Sequence, residues 1–179
     1  MKRVLLDLDG VLVDFVGPSL ALHGKSIPPA DVRWNFPQQV GIPEPEFWRP
    51  LGFDFWSNLP WTTEGKQLLH GVRLSALSYG YITSPCGTEG CVEGKRAWAR
   101  KNLPCKGSLM LVGGAKHLLA HPNALLIDDH DANVEKFREH GGKAILVPRP
   151  WNARKDECNA DGTFDVDELL RSVTEFTKW

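Results

Sequence analysis

Five short apolar runs alternate along this chain with stretches able to form helices, and that alternation restricts the fold more than any other feature. The runs are Arg3–Leu8, Ser78–Thr83, Ser108–Val112, Ala124–Ile127 and Lys143–Val147. Strands this short and this continuously apolar suit a parallel sheet covered by helices on both faces. The segments Glu64–Leu74, Glu93–Asn102, Gly114–Ala120 and Asp131–His140 can supply the helical crossovers that parallel pairing requires. Asp131 is placed to cap its helix and Gly141-Gly142 to end it. A final helix over Asp165–Lys178 aligns Val166, Leu169, Leu170, Val173 and Phe176 as a core-facing stripe. The expected class is α/β.

One stretch breaks the alternation. Residues 17–63 hold 8 of the 13 prolines, four of the seven tryptophans and four of the eight phenylalanines, which is too aromatic for a solvated linker. The stretch reads as a small, irregular, mostly helical cap inserted after the first strand. The expected division is a core of residues 1–16 and 64–179 with a cap of residues 17–63, and a length of 179 residues suits one domain with such an insertion. A net charge of −1 argues against a nucleic-acid coat or membrane-surface protein, which would carry a basic excess. Cys86, Cys91, Cys105 and Cys158 lack metal-ligand spacing and read as reduced thiols. No run is long and apolar enough to span a membrane, and no secretory signal pattern precedes the first strand, so a cytoplasmic location is expected.

The first strand ends Val4-Leu-Leu-Asp7-Leu-Asp9-Gly-Val11. Alternation puts Asp7 and Asp9 on one side at its carboxyl end, where open α/β sheets bind ligands. Two carboxylates so close repel each other unless a cation is held between them. A plain turn would need only Asp9-Gly10, whereas Asp7 interrupts the apolar run before any turn begins. The fourth run also ends in acids, Ile127-Asp128-Asp129, although capping the next helix takes only one. Acid pairs closing two separate strands point to a hard cation held by oxygens, most often Mg2+. The second run closes in Thr83-Ser84-Pro85, where hydroxyl and free N–H groups suit a phosphate oxygen. Lys95 and Lys116 are the candidates to neutralise that phosphate.

In this order the motifs resemble the haloacid dehalogenase (HAD) superfamily. Asp7-Leu-Asp-Gly-Val11, Thr83-Ser84, Lys116 and Ile127-Asp-Asp129 look like its motifs one to four. The stretches Asp7–Phe15, Ile82–Pro85, Gly94–Trp98, Leu126–Asp129 and Arg149–Asn152 resemble its 5′(3′)-deoxyribonucleotidase branch. Phe47-Trp48 and Asn58-Leu-Pro60 are similar to the cap of that branch, while His130 stands where it carries arginine. The resemblance implies a HAD-like Rossmannoid three-layer sandwich whose five-stranded parallel sheet has the order 3-2-1-4-5. It implies Asp7 as the nucleophile that forms an aspartyl-phosphate and Asp9 as the acid and base. Mg2+ would be held by Asp7, the Asp9 backbone carbonyl and Asp129, with Asp128 orienting a bound water or Lys116. Thr83, Ser84, Lys95 and Lys116 would bind phosphate, and Phe15, Phe47 and Trp48 would touch the rest of the substrate.

The expected partner is a small phosphomonoester, above all a (deoxy)ribonucleoside monophosphate, with no membrane or stable nucleic-acid partner and a monomeric or homodimeric state. A sugar-phosphate phosphatase would use the same catalytic set under a different cap. A polynucleotide 3′-phosphatase would need a basic groove. A phospho-accepting receiver domain would need its reactive acid on the third strand, which here runs into Gly113-Gly114. A haloacid dehalogenase proper would need neither Asp9 nor the metal.

Overall fold

Strand β1 (Arg3–Leu6) lies in the middle of a five-stranded parallel sheet, between β2 (Tyr79–Thr83) and β4 (Ala124–Asp128). The computed structural model describes residues 1–76, 78–104 and 108–178. Strands β3 (Ser108–Leu111) and β5 (Lys143–Leu146) form the edges, giving the expected order β3-β2-β1-β4-β5. Sheet growth runs outward from β1 to β3, then restarts on the other side of β1 at β4. With right-handed crossovers, that reversal places the helices of the two halves on opposite faces.

The alternation of strand side chains sorts the apolar residues into two cores. On one face Val4, Leu6, Tyr81, Leu125 and Ile127 pack with Leu68 and Val72 of α5 (Gly65–Ser75), Trp98 of α6 (Cys91–Asn102) and Leu169 and Val173 of α8 (Val166–Thr177). On the other, Leu5, Ile82 and Leu126 meet Val134 and Phe137 of α7 (Asp131–Glu139). Asp165 caps α8 by accepting the Asp167 N–H at 2.9 Å.

Residues 17–63 contain no strand among the described residues. They fold as α1 (Val16–Leu22, which starts one residue earlier), a 3-10 turn at Pro29–Asp31, and the short helices α2 (Phe36–Gln39), α3 (Glu44–Trp48) and α4 (Phe53–Ser57). Their buried side chains, Phe36, Phe47, Leu51 and Trp56, are continuous with the core under β1. No helix is long and apolar enough to cross a membrane among the described residues.

Three local expectations are corrected. Gly114–Ala120 forms only a 3-10 turn at Lys116–Leu119, because the glycines at its head start a helix poorly. The α7 N-cap is His130, not Asp131: its first turn is tied down by Asp128, whose Oδ1 accepts the His130 N–H at 3.0 Å. Strand β1 stops at Leu6 rather than Leu8, since the chain turns once Asp7 has bonded Ile127 O at 2.9 Å. Cys86, Cys91 and Cys158 are free thiols, as expected, while Cys105 lies outside the described residues.

Helix α4 presses directly on α6 at Gly94, where a methyl group would lie 2.5 Å from Trp56 Cβ and 2.8 Å from the Phe53 carbonyl oxygen. Backbone cannot retreat as a flexible side chain can. Gly94→Ala is therefore expected to destabilise the protein by about 1–3 kcal/mol, seen as a lower urea midpoint at unchanged slope. An unchanged midpoint would show that the two helices are not pressed together.

Candidate active site

The register of the central strands builds the site. Leu6 pairs with Ile127 and with Tyr81, so Asp7 emerges beside Asp128, and the β2 terminus Thr83 lies level with the turn after β1. Both acids follow residues of the α7-side core, Leu5 and Leu126, by two positions, and so point toward that face. Lys116 reaches the same place from the 3-10 turn after β3. Its Nζ sits 2.6 Å from Asp128 Oδ2 and 2.7 Å from Asp7 Oδ1.

Asp129 completes the cluster. One oxygen each from Asp7, Asp128 and Asp129 falls within 4.8 Å of the others, and all three residues are buried. Their positions are held from outside. Asn133 Nδ2 donates to both oxygens of Asp128, at 3.0 and 3.3 Å. Trp151 Nε1 donates to Asp129 Oδ2 at 2.7 Å, and Asn152 Nδ2 to the Asp129 carbonyl at 2.8 Å. Gly10, at φ +73°, packs so closely that any Cβ would collide with the Asp129 carboxylate. Arg149 Nε grips the Gly10 carbonyl at 2.7 Å while its guanidinium pairs with buried Glu64 at 3.2 Å. The turn after β1 is thus fixed by a charge pair from two distant segments.

Three carboxylates less one ammonium leave two negative charges uncompensated if all are ionised. The consequence appears in their affinities for protons. Burial, reinforced by the charges of Asp128 and Asp9 and opposed by Lys116, pushes Asp7 up to about 7. Burial, with Asp128 and Asp7 beside it, also raises Asp129 well above the usual carboxylate range. Burial alone would pull the Lys116 ammonium down, but the Asp7 and Asp128 carboxylates outweigh it and hold the proton on. Three buried carboxylates whose oxygens lie within 4.8 Å of one another fit a divalent cation held by oxygens.

These groups open into a cavity of about 640 Å3. Of the residues singled out in the sequence, Asp7, Asp9, Lys116 and Asp129 line its floor, with Ser84 at the side and Phe15 and Trp48 in the wall. Four do not line it. Asp128 is fully buried beneath Lys116. Thr83 is fully buried with its hydroxyl accepting from Lys95 Nζ at 3.0 Å, and Lys95 is buried in an ion pair with Asp9. Both side chains are thus engaged with each other or with Asp9 rather than lining the cavity. Phe47 is fully buried in the core against the edges of Phe36 and Trp48. The sequence reading missed Trp34, His130 and Trp151, which also line the cavity. Trp34 stacks on His130 with ring centroids 3.9 Å apart. Burial lowers the His130 pKa, which favours the neutral ring that stacks.

No family model and no curated protein matches the sequence. Solved structures do. A HAD family hydrolase from Deinococcus radiodurans R1, with bound phosphate and sodium, matches with a TM-score of 0.56 at 15% identity over 98% of this chain and 96% of that one. A HAD-superfamily hydrolase from Ehrlichia chaffeensis gives 0.52 at 14% identity over 98% of both chains. An L-2-haloacid dehalogenase gives 0.59 at 14% identity over 97% of this chain and 98% of that one. The fold is that of HAD-superfamily hydrolases.

The raised carboxylates make a metal-free protein sensitive to pH in a defined direction. Between the ordinary carboxyl value of 3.8 and the folded value of about 7, the folded state holds a proton on Asp7 that the unfolded chain has lost. That contribution is complete at low pH and fades as pH rises through 7. In chelator, Asp7→Asn should therefore melt higher than the wild type at pH 8 by several degrees, and the gap should close by pH 4. A gap that widens toward low pH would contradict the burial of this charge.

Proposed function

We propose that this protein is a Mg2+-dependent phosphomonoesterase acting through an aspartyl-phosphate on Asp7, with nucleoside monophosphates as its substrates. The observation that carries the reading is a second acid, Asp9, on the same cavity floor as a nucleophile embedded in a carboxylate cluster. A phosphate ester needs both features: a proton for its alkoxide leaving group, and positive charge to bring a carboxylate up to an anionic phosphoryl group. The bound phosphate of the Deinococcus hydrolase is consistent with it.

In the first step an Asp7 oxygen attacks phosphorus as the ester bond breaks, and Asp9 gives its proton to the departing oxygen. In the second, Asp9 takes a proton from water as that water attacks phosphorus and releases Asp7. Lys116 and the Ser84 hydroxyl are the cavity-lining groups placed to take up charge on the phosphoryl oxygens. Mg2+, held by Asp7, Asp129 and the Asp9 carbonyl, would offset repulsion between nucleophile and phosphate. Residues 17–63 serve as the cap, and their aromatic wall selects the remainder of the substrate. Base stacking on such side chains contributes about 1–3 kcal/mol each, enough to prefer a nucleotide over a sugar phosphate.

A panel of nucleoside monophosphates, sugar phosphates and p-nitrophenyl phosphate, assayed for phosphate release with EDTA or Mg2+, tests the reading. Release should vanish in chelator, return with Mg2+, and favour pyrimidine deoxyribonucleoside 5′-monophosphates. Full turnover in EDTA overturns it.

The cap is tested separately at Trp48, which runs nearly parallel to Phe15 with centroids 5.7 Å apart. Trp48→Ala should raise KM for the nucleotide by about tenfold, the worth of one stacking contact, with little change on the aryl phosphate. Equal losses on both would assign Trp48 to holding the wall together.

A further inference from the structure

Lys95 has no place in the mechanism above, yet it is among the most enclosed charges in the molecule. It rises from the second turn of α6, is 3% exposed, and does not line the cavity. Its ammonium has three N–H groups and three partners. One is Asp9 Oδ2, in a direct ion pair. A second is Thr83 Oγ1 at 3.0 Å, at the end of β2. The third is the face of Trp56, whose ring centroid lies 4.7 Å away. That ring is itself fixed, since Trp56 Nε1 donates to the Leu51 carbonyl at 2.7 Å. The close approach of α4 to Gly94 locks the residue next to Lys95 against the same tryptophan.

A lysine held this way cannot reach a phosphate without giving up all three partners. Its effect falls on Asp9. Among the described residues, no other side chain hydrogen-bonds the Asp9 carboxylate, and Asp9 is on the cavity floor. With Oδ2 taken, Oδ1 is the oxygen left to exchange a proton.

We propose that Lys95 is a positioning residue: it clamps Asp9 Oδ2, with Thr83 and Trp56 as its anchors, so that Oδ1 is presented to the leaving group. The inference rests on the phosphatase reading. In the step it serves, the proton on Asp9 Oδ1 passes to the ester oxygen as the P–O bond breaks and the Asp7–phosphorus bond forms. The lysine keeps its own proton throughout.

The test compares two esters through kcat/KM, which reports the first irreversible step. A nucleoside 5′-monophosphate leaves as an alkoxide and needs the proton; p-nitrophenyl phosphate leaves as a stable phenolate and does not. Lys95→Met should lower kcat/KM about 30–100-fold on the first and less than about threefold on the second, a part of the ~10²–10⁴-fold that general acid catalysis supplies. Competitive inhibition by inorganic phosphate should not change. In the Asp9→Asn background the same substitution should add nothing further. Thr83→Val, which removes one anchor and keeps the charge, should show a smaller loss with the same split between esters, and carries the comparison should Lys95→Met fail to fold. Equal losses on both esters together with weaker phosphate inhibition would make Lys95 a phosphate clamp and overturn the assignment alone. A wild-type protein inactive on every ester would overturn the phosphatase reading, and this assignment with it.

Discussion

Everything around the cavity answers to one constraint: three carboxylates are buried together with a single ammonium to balance them. Fully ionised, Asp7, Asp128 and Asp129 exceed the charge of Lys116 by two. Buried like charges are costly, and two remedies are open to a folded chain. It can take up a proton, and Asp7, pushed up to about 7, is poised to do so. It can instead take up a cation, which leaves Asp7 ionised and nucleophilic. The surrounding contacts favour keeping the carboxylates in place over dispersing them. Trp151, Asn133 and Asn152 each donate to one of these acids, and Gly10 leaves space that any side chain would fill.

The sheet delivers these groups without a dedicated loop for each. Because strand order reverses at β1, the carboxyl ends of β1 and β4 lie side by side at the sheet's switch point, where crossovers depart in opposite directions. Register then makes Asp7 and Asp128 neighbours, while β2 carries Thr83 level with the turn that holds Asp9. Lys116 and Lys95 enter from opposite sides, one after β3 and one on α6. Each takes charge of a different carboxylate pair or partner. The division gives Asp7 and Asp9 separate electrostatic supports.

Much of this was legible in the sequence, because strand alternation and terminal acids are local signals. The five strands, their parallel arrangement and the acid pairs that close two of them follow from short-range pattern, while the strand order that sets Asp7 beside Asp128 is implied by the resemblance to the HAD superfamily. The two lysines show where such reading ends. Lys95 and Lys116 look alike as residues in a sequence, and only the packing of α4 on α6 reveals that one is shut away behind Asp9. Phe47 and Trp48 are adjacent aromatic residues, yet helical geometry turns the first into the core and the second into the cavity wall. Trp34 and His130 are far apart in the chain, and nothing local announces that their rings stack. Backbone-level features such as the Arg149–Gly10 contact depend on the return of a segment 139 residues away.

The fold by itself does not choose a chemistry, since solved structures of this architecture include both a phosphate-bound hydrolase and a haloacid dehalogenase. The choice lies in the charges. Displacing a halide from carbon calls for one ionised carboxylate and no proton, because halide leaves readily as an anion. The displacement itself has no use for a second acid as a proton donor. Attack on a phosphate ester has the opposite needs: an anionic nucleophile must approach an anionic substrate, and the leaving alkoxide must be protonated. Here Asp7 stands beside Lys116 and two further carboxylates suited to a cation, and Asp9, on the cavity floor, is ion-paired with Lys95. The charges present suit both needs, and for that reason the proposed reaction is phosphoryl transfer.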